Sequence, residues 1–115
     1  MSAGSQQELV ALECKLATGG GEDCERILAE EATVVVPGAT MDKAQTVEAM
    51  RQGQGWDGFS FDNPRRLEPS AGCAGLVYLF SGRRGGSTYR AVLTSLYVER
   101  NGRWRLIFHQ QTPLQ

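Results

Sequence analysis

Residues 75–113 have the sequence GLVYLFSGRRGGSTYRAVLTSLYVERNGRWRLIFHQQTP, in which two short turns separate three runs rich in aromatic and aliphatic residues. The turns are the dipeptides Gly85-Gly86 and Asn101-Gly102. Both dipeptides accept positive φ angles, and such pairs favour two-residue hairpins. The segment therefore predicts three successive antiparallel strands.

The two turns also predict which side chains share a face of the sheet, because directly opposed residues of a hairpin lie on one face. Pairing outward from each turn gives an inner face that carries Leu76, Tyr78, Phe80, Tyr89, Ala91, Leu93, Tyr97, Trp104, Leu106, Phe108 and Gln110. The outer face carries Val77, Leu79, Arg83, Arg90, Val92, Thr94, Leu96, Val98, Arg105, Ile107, His109 and Gln111. A β-bulge would break this assignment locally.

The N-terminal half predicts helices. Ser5 and Glu8 form the pattern of a capping box, as do Asp42 and Gln45. We expect helices at about 6–18, 22–31 and 42–53, a short strand at 33–36, and a strand at 56–68 that Pro64 confines to an edge or bends. The predicted order of elements is ααβαββββ, which gives an α+β fold.

Composition bounds the class of protein. The chain has 115 residues, of which 41% are hydrophobic and 22% charged, so we expect residues 1–115 to form one soluble globular domain. Residues 1–5 show no basic and apolar pattern of a secretion signal, which makes the cytoplasm the expected location. Three unclustered cysteines and one histidine offer too few ligands for a metal site, and we expect neither metal nor cofactor.

Charge is divided unevenly along the chain. Residues 1–50 contain nine acidic and three basic residues, a net charge of −6, whereas residues 51–115 contain four acidic and nine basic residues, a net charge of +5. A basic half is compatible with an anionic partner, but the arginines are dispersed and lack exposed aromatic neighbours. We therefore favour acidic helices that cover a basic sheet, and we expect no nucleic acid or membrane partner.

Both predicted faces of the sheet are too apolar to be left in water. Three short helices suffice to cover one face, and the aromatic inner face is the one we assign to them. The outer face then packs most simply against a second copy of itself. The sequence predicts a homodimer that forms through this convex outer face.

Several short motifs resemble those of the nuclear transport factor 2-like superfamily, and within it the SnoaL-like branch of unassigned function. They are Val34-Val35-Val36-Pro37-Gly38, Met41-Asp42-Lys43-Ala44, Tyr97-Val98, Asn101-Gly102-Arg103-Trp104-Arg105-Leu106 and His109-Gln110-Gln111-Thr112-Pro113. The resemblance covers nearly the whole chain. It implies a cone, in which a curved mixed sheet wraps around the helices and a pocket opens at one end.

The resemblance leaves the activity open, because this fold carries both enzymes and binding domains. We expect a domain that binds a small hydrophobic molecule, with ligand contacts from Tyr78, Tyr97, Gln110, Trp56, Trp104 and His109. The alternative is an isomerase, cyclase or dehydratase of the ketosteroid isomerase or polyketide cyclase type, acting by acid–base catalysis on a small hydrophobic carbonyl compound.

The enzyme alternative would use His109 or Asp57 as the base and Tyr78 or Tyr97 as the oxyanion donor. His109 falls on the predicted outer face, where an interface histidine is the simpler interpretation. Asp57 precedes Gly58, and an aspartate in a turn commonly bonds to the backbone. An ionisable group within reach of the tyrosine hydroxyls would favour catalysis over binding.

Overall fold

The computed structural model describes residues 5–114. Residues 1–4 and 115 lie outside this range, and with them most of the N-terminal segment on which the expected absence of a secretion signal rests. The elements are α1 (Gln6–Thr18), α2 (Gly21–Ile27), β1 (Leu28–Val36), β2 (Ala39–Met41), α3 (Lys43–Gln52), β3 (Gly58–Ser70), β4 (Cys73–Arg84), β5 (Ser87–Arg100) and β6 (Arg103–Pro113).

The six strands form one mixed sheet in the order β2-β1-β6-β5-β4-β3. β1 and β6 are parallel, and every other neighbouring pair is antiparallel. The helices pack on the inner face, where the largest fully buried hydrophobic side chains are Tyr97, Leu9, Leu28, Leu76, Leu106 and Cys24. The predicted α+β cone is confirmed. No helix within residues 5–114 is long and apolar enough to cross a membrane.

Local sequence signals determine the β4–β5 and β5–β6 turns and the starts of α1 and α3. Gly85 and Gly86 have φ angles of 58° and 86°, and Asn101 and Gly102 have 54° and 76°, so both hairpins have the predicted two-residue turns. The predicted register of β4 with β5 is confirmed along its length. Both predicted capping boxes are present, at the starts of α1 and α3.

The register of β6 was predicted wrongly beyond Leu106. Tyr97 pairs with Leu106 as expected, but Leu96 pairs with Phe108, so Ile107 is an extra residue in a β-bulge. An extra residue exchanges the two faces for the remainder of the strand, because side chains alternate with a period of two.

As a consequence, the faces of four residues are corrected. Phe108 and Gln110 lie on the outer face, opposite Leu96 and Thr94. His109 and Gln111 lie on the inner face, where His109 pairs with the fully buried Ser95.

The N-terminal half also differs from the prediction in three places. α2 ends at Ile27, and residues 28–31 open β1 instead of extending the helix. The short strand β2 was missed, so the order of elements is ααββαββββ. The spacing of Met41, Ala44, Val47 and Met50 predicts that these four residues form the inner face of the third helix. In α3 the buried side chains are Lys43, Thr46 and Val47, and Ala44 is exposed.

The edge strand β3 is bent where the sequence placed a proline. Its pairing with β4 shifts between Asp62 and Arg65, and Asn63 within the shift has a φ of 53°. Pro64 cannot donate a ladder hydrogen bond, so a bulge at an edge is compatible with it.

Replacing Gly86 with alanine should destabilise the protein by about 1–2 kcal/mol, because the side chain must adopt a left-handed conformation. The free energy of unfolding, measured by urea denaturation, checks this. Gly55→Ala is the matched control, since Gly55 has no positive φ and its added methyl group meets open space. An equal loss of stability in both variants would contradict the role of the turn.

Candidate functional site

A cavity of about 710 Å³ lies between the helices and the inner face of the sheet. Its walls come from the C-terminal half of α1, from α3 and the loop that follows it, and from inward-facing residues of β1, β4, β5 and β6. Most wall residues are apolar, among them Leu16, Val34, Phe80, Leu93 and Leu106. The size is within the range of about 300–1,000 Å³ that is typical of small-molecule sites.

Glu13 of α1 is the polar centre of the cavity wall. Glu13 is 3% exposed. Its carboxylate accepts hydrogen bonds from the hydroxyl groups of Tyr78 and Tyr97, both at 2.5 Å. These two tyrosines extend from β4 and β5 on the inner face. No ion pair among residues 5–114 includes Glu13, so the partners of the carboxylate are neutral donors.

The environment keeps both tyrosines protonated. Burial raises the pKa of Tyr78 and Tyr97 far above the usual value, and the negative charge of Glu13 and the hydrogen bond to it raise the pKa further. A phenol that stays protonated is a permanent donor. Because both hydroxyl protons point to Glu13, neither is directed at a ligand in the cavity.

His109 lies within a second chain of hydrogen bonds, which runs from Ser95 through His109 and Gln111 to Tyr89. Its Nδ1 is 2.7 Å from Oγ of Ser95, and its Nε2 is 3.2 Å from Nε2 of Gln111. The amide oxygen of Gln111 accepts a bond of 2.9 Å from the hydroxyl of Tyr89. The Gln111 amide therefore donates N–H to Nε2 of His109, which leaves the ring proton on Nδ1, directed at Ser95.

This arrangement selects the neutral imidazole. Burial lowers the pKa of His109 below its usual value of 6.5, and the negative charge of Glu13 opposes the shift more weakly. A second proton on Nε2 would face the N–H of Gln111. His109 consequently supplies no positive charge to the cavity near neutral pH.

The mouth of the cavity is built around Trp56. Its ring stacks on Tyr89 with centroids 5.9 Å apart and meets Phe80 edge-on at 5.2 Å. It rests on the sheet because Gly82 has no side chain: a Cβ there would lie 2.7 Å from Trp56 Cε3. The guanidinium of Arg84 covers the ring at 4.0 Å.

Neither a protein-family model nor a curated protein matches the chain. Several solved structures, by contrast, superpose on this chain. An NTF2-like protein from Cytophaga hutchinsonii superposes with a TM-score of 0.81 and 13% identity, covering 97% of this chain and 100% of that one. The association domain of C. elegans CaMKII gives 0.77 and 16%, covering 93% and 94%. An NTF2-like protein of unknown function in nutrient uptake from Rhodospirillum rubrum gives 0.75 and 18%, covering 90% and 93%.

The chain has the nuclear transport factor 2-like fold. This conclusion concerns the fold alone, because the identities are low and the matching proteins have different names. The cavity of the cone is the part of the molecule where Glu13 and His109 meet the apolar wall.

The structure places some of the residues expected to contact a ligand around the same cavity. Trp56, Tyr78 and His109 line the cavity, and Tyr97 reaches it through Glu13.

Two of the expected ligand contacts lie elsewhere. Gln110 was expected on the inner face, but the bulge turns it outward, where it is exposed. Trp104 lies on the predicted face and packs against the core without lining the cavity. Asp57, weighed as a base, accepts a hydrogen bond from the backbone N–H of Gly85 at 2.9 Å and so fastens the β4–β5 turn.

Sequence analysis missed Glu13, the residue that organises the site. A signal was present, because Leu9, Glu13 and Leu16 are spaced i, i+4 and i+7, which places them on one helical face. An acidic residue within an otherwise apolar stripe is expected to be buried with hydrogen-bond partners.

The single histidine makes the predicted pKa shift directly measurable. We expect the His109 Hε1 resonance to titrate with a midpoint below 6.5 in NMR spectra of the folded protein. Because the unfolded chain then binds more protons than the native one between the two pKa values, stability should fall as the pH drops below about 6.5.

The variant His109→Gln is the control for this pH dependence. Urea denaturation at pH 7.5 and 5.5 should show a smaller pH-dependent loss of stability in the variant than in the wild type. A midpoint above 6.5 would show that the ring is charged in the native state and would contradict the assigned tautomer.

Proposed function

We propose that this protein is a binding domain for a small, largely apolar molecule, which occupies the cavity between the helices and the sheet. The observation that carries the proposal is the cavity itself: about 710 Å³, walled mainly by apolar side chains, with polar groups confined to a few positions. Burial of apolar ligand surface supplies the affinity, and the polar groups set the orientation. Trp56, Tyr78 and His109 are the proposed contacts.

The hydrogen bonds favour binding over acid–base catalysis. An ionisable group does lie within reach of the tyrosine hydroxyls, since Glu13 accepts from both, and by the criterion drawn from the sequence this potential base favours catalysis. However, the hydroxyl groups of Tyr78 and Tyr97 donate their hydrogen bonds to that carboxylate. Both ring nitrogens of His109 are hydrogen-bonded to Ser95 and Gln111. An isomerase-type site also needs a donor aimed at the developing oxyanion. These residues leave no such donor free.

Within the fold, we place the chain nearest to the SnoaL-like branch. The support is the set of sequence motifs, chiefly the closing hairpin from Asn101 to Leu106. The branch assignment prescribes no reaction, so the function must be argued from the site.

Filling the cavity should abolish binding of an apolar probe. The variant Ala49→Trp places an indole in the cavity wall, because Ala49 of α3 lines it. Nile red, a neutral apolar dye, should bind the wild type and lose at least tenfold in affinity with this variant, as measured by fluorescence titration.

Ala44→Trp is the matched control, since Ala44 lies on the same helix, is exposed and is not part of the wall. It should bind Nile red as the wild type does. Circular dichroism establishes that both variants fold. If neither the wild type nor the control binds the dye, or if Ala49→Trp binds it equally well, the cavity is not the ligand site.

We further propose that the protein forms a homodimer through the outer face of the sheet. Val77, Leu79, Val92, Leu96 and Phe108 form a contiguous, partly exposed patch there. The bulge in β6 adds Phe108 to this patch. A second copy is its simplest cover, because an isologous contact pairs identical patches. The structural similarity to an association domain supports self-assembly.

A charge in the centre of the patch should separate the two copies. Light scattering coupled to size-exclusion chromatography should give twice the chain mass of 12.6 kDa for the wild type and 12.6 kDa for Val92→Glu. Thr88→Glu, on the same strand and face but outside the patch, should remain dimeric. A wild-type mass of 12.6 kDa at micromolar concentration would refute the dimer.

A further inference from the structure

The deep part of the cavity offers hydrogen-bond acceptors. A carboxylate has about four lone-pair positions, and Tyr78 and Tyr97 occupy two of those on Glu13. Since Glu13 is part of the cavity wall, the remaining acceptor capacity is available to a ligand. This polarity is opposite to that of the enzyme alternative, in which Tyr78 or Tyr97 donates to an oxyanion.

The charge of Glu13 is also uncompensated by the protein. A carboxylate removed from water is costly unless a cation pairs with it, and phenol hydroxyls offset that cost only in part. Within residues 5–114 no lysine or arginine forms an ion pair with Glu13, and His109 is held neutral by Gln111 and Ser95. A cationic group on a ligand would supply the pairing that these residues do not give to Glu13.

The charged residues of the cavity wall lie at separate positions, with Glu13 apart from the arginines. Besides Glu13, the cavity is lined by Arg51 and Arg84, both exposed and both at the mouth. Arg84 lies six residues along β4 from Tyr78, which at about 3.3 Å per residue is about 20 Å. Neither Arg84 nor Arg51 forms an ion pair with Glu13.

We propose that the cavity binds a small organic amine as its ammonium ion, with the nitrogen on the carboxylate of Glu13 and the hydrocarbon body against the apolar wall. An ammonium group supplies donors for the free lone pairs and the positive charge that the site lacks. Phe80, Leu93 and Leu106 form the surface for the hydrocarbon part. The inference rests on the proposed binding function and specifies the chemical class of its ligand.

Three probes of one shape test the proposal with the wild-type protein. Cyclohexylmethylamine, cyclohexylmethanol and cyclohexanecarboxylate share a ring and differ in the polar group. Isothermal titration calorimetry should show the amine binding at least tenfold more tightly than the alcohol, and the carboxylate binding most weakly. Equal affinity for amine and alcohol, a preference for the carboxylate, or no binding of any of the three would overturn the ammonium assignment.

The variant Glu13→Gln should abolish the preference for the amine while retaining affinity for the alcohol, since the amide preserves shape and removes charge. Glu22→Gln, which removes one negative charge from an exposed position on α2, should behave as the wild type. A tenfold preference that persists in Glu13→Gln would refute the role of Glu13. If this variant does not fold, the three-probe comparison with the wild type still decides.

The failure of this inference is distinguishable from failure of the proposed function. If the cavity is apolar but indifferent to charge, Nile red binds and the amine has no advantage. If the cavity is not a binding site, Ala49→Trp has no effect on Nile red.

Discussion

The contact of one buried carboxylate with two tyrosines joins the halves of this molecule. Glu13 belongs to the first helix, whereas Tyr78 and Tyr97 follow it by 65 and 84 residues on adjacent strands of the sheet. A buried carboxylate must be satisfied wherever it lies, so its two donors fix how α1 packs over β4 and β5. Because Glu13 and Tyr78 line the cavity and Tyr97 is bonded to Glu13 behind them, the packing of the helix and the polarity of the site have one cause.

The parts of the fold that sequence reasoning predicted correctly depend on short-range signals. The two-residue turn requires positive φ angles, which Gly85 and Gly86 accept, and the turn fixes the register of β4 against β5. Capping boxes at Ser5 and Asp42 place the starts of α1 and α3 for the same reason: donor and acceptor lie three residues apart. The inward position of Tyr78, and hence one side of the cavity, followed from these signals alone.

The remaining features depend on contacts that the local sequence does not encode. Leu106, Ile107 and Phe108 are three successive apolar residues, so the pattern of β6 does not show which of them face inward or mark the bulge that moves His109 to the inner face. Leu28 to Glu31 are compatible with a helix, and they become a strand because Leu28 pairs with Leu106 of β6 in parallel. Glu13 gave a visible signal through its spacing from Leu9, but its partners lie in another part of the chain.

The bulge at Ile107 determines both the site and the outer surface. With regular alternation, Phe108 would fill the cavity and His109 would lie on the outer face, leaving the interior smaller and without an imidazole. One additional residue in β6 exchanges them, so the interior gains a hydrogen-bonded histidine beside Ser95 while the outer face gains an aromatic ring beside Leu96. β6 lies between β1 and β5 in the sheet. A register shift in this strand changes both faces together, because every side chain beyond the bulge moves to the opposite face. The polarity of the cavity and the apolar character of the outer patch are therefore linked through the backbone of β6.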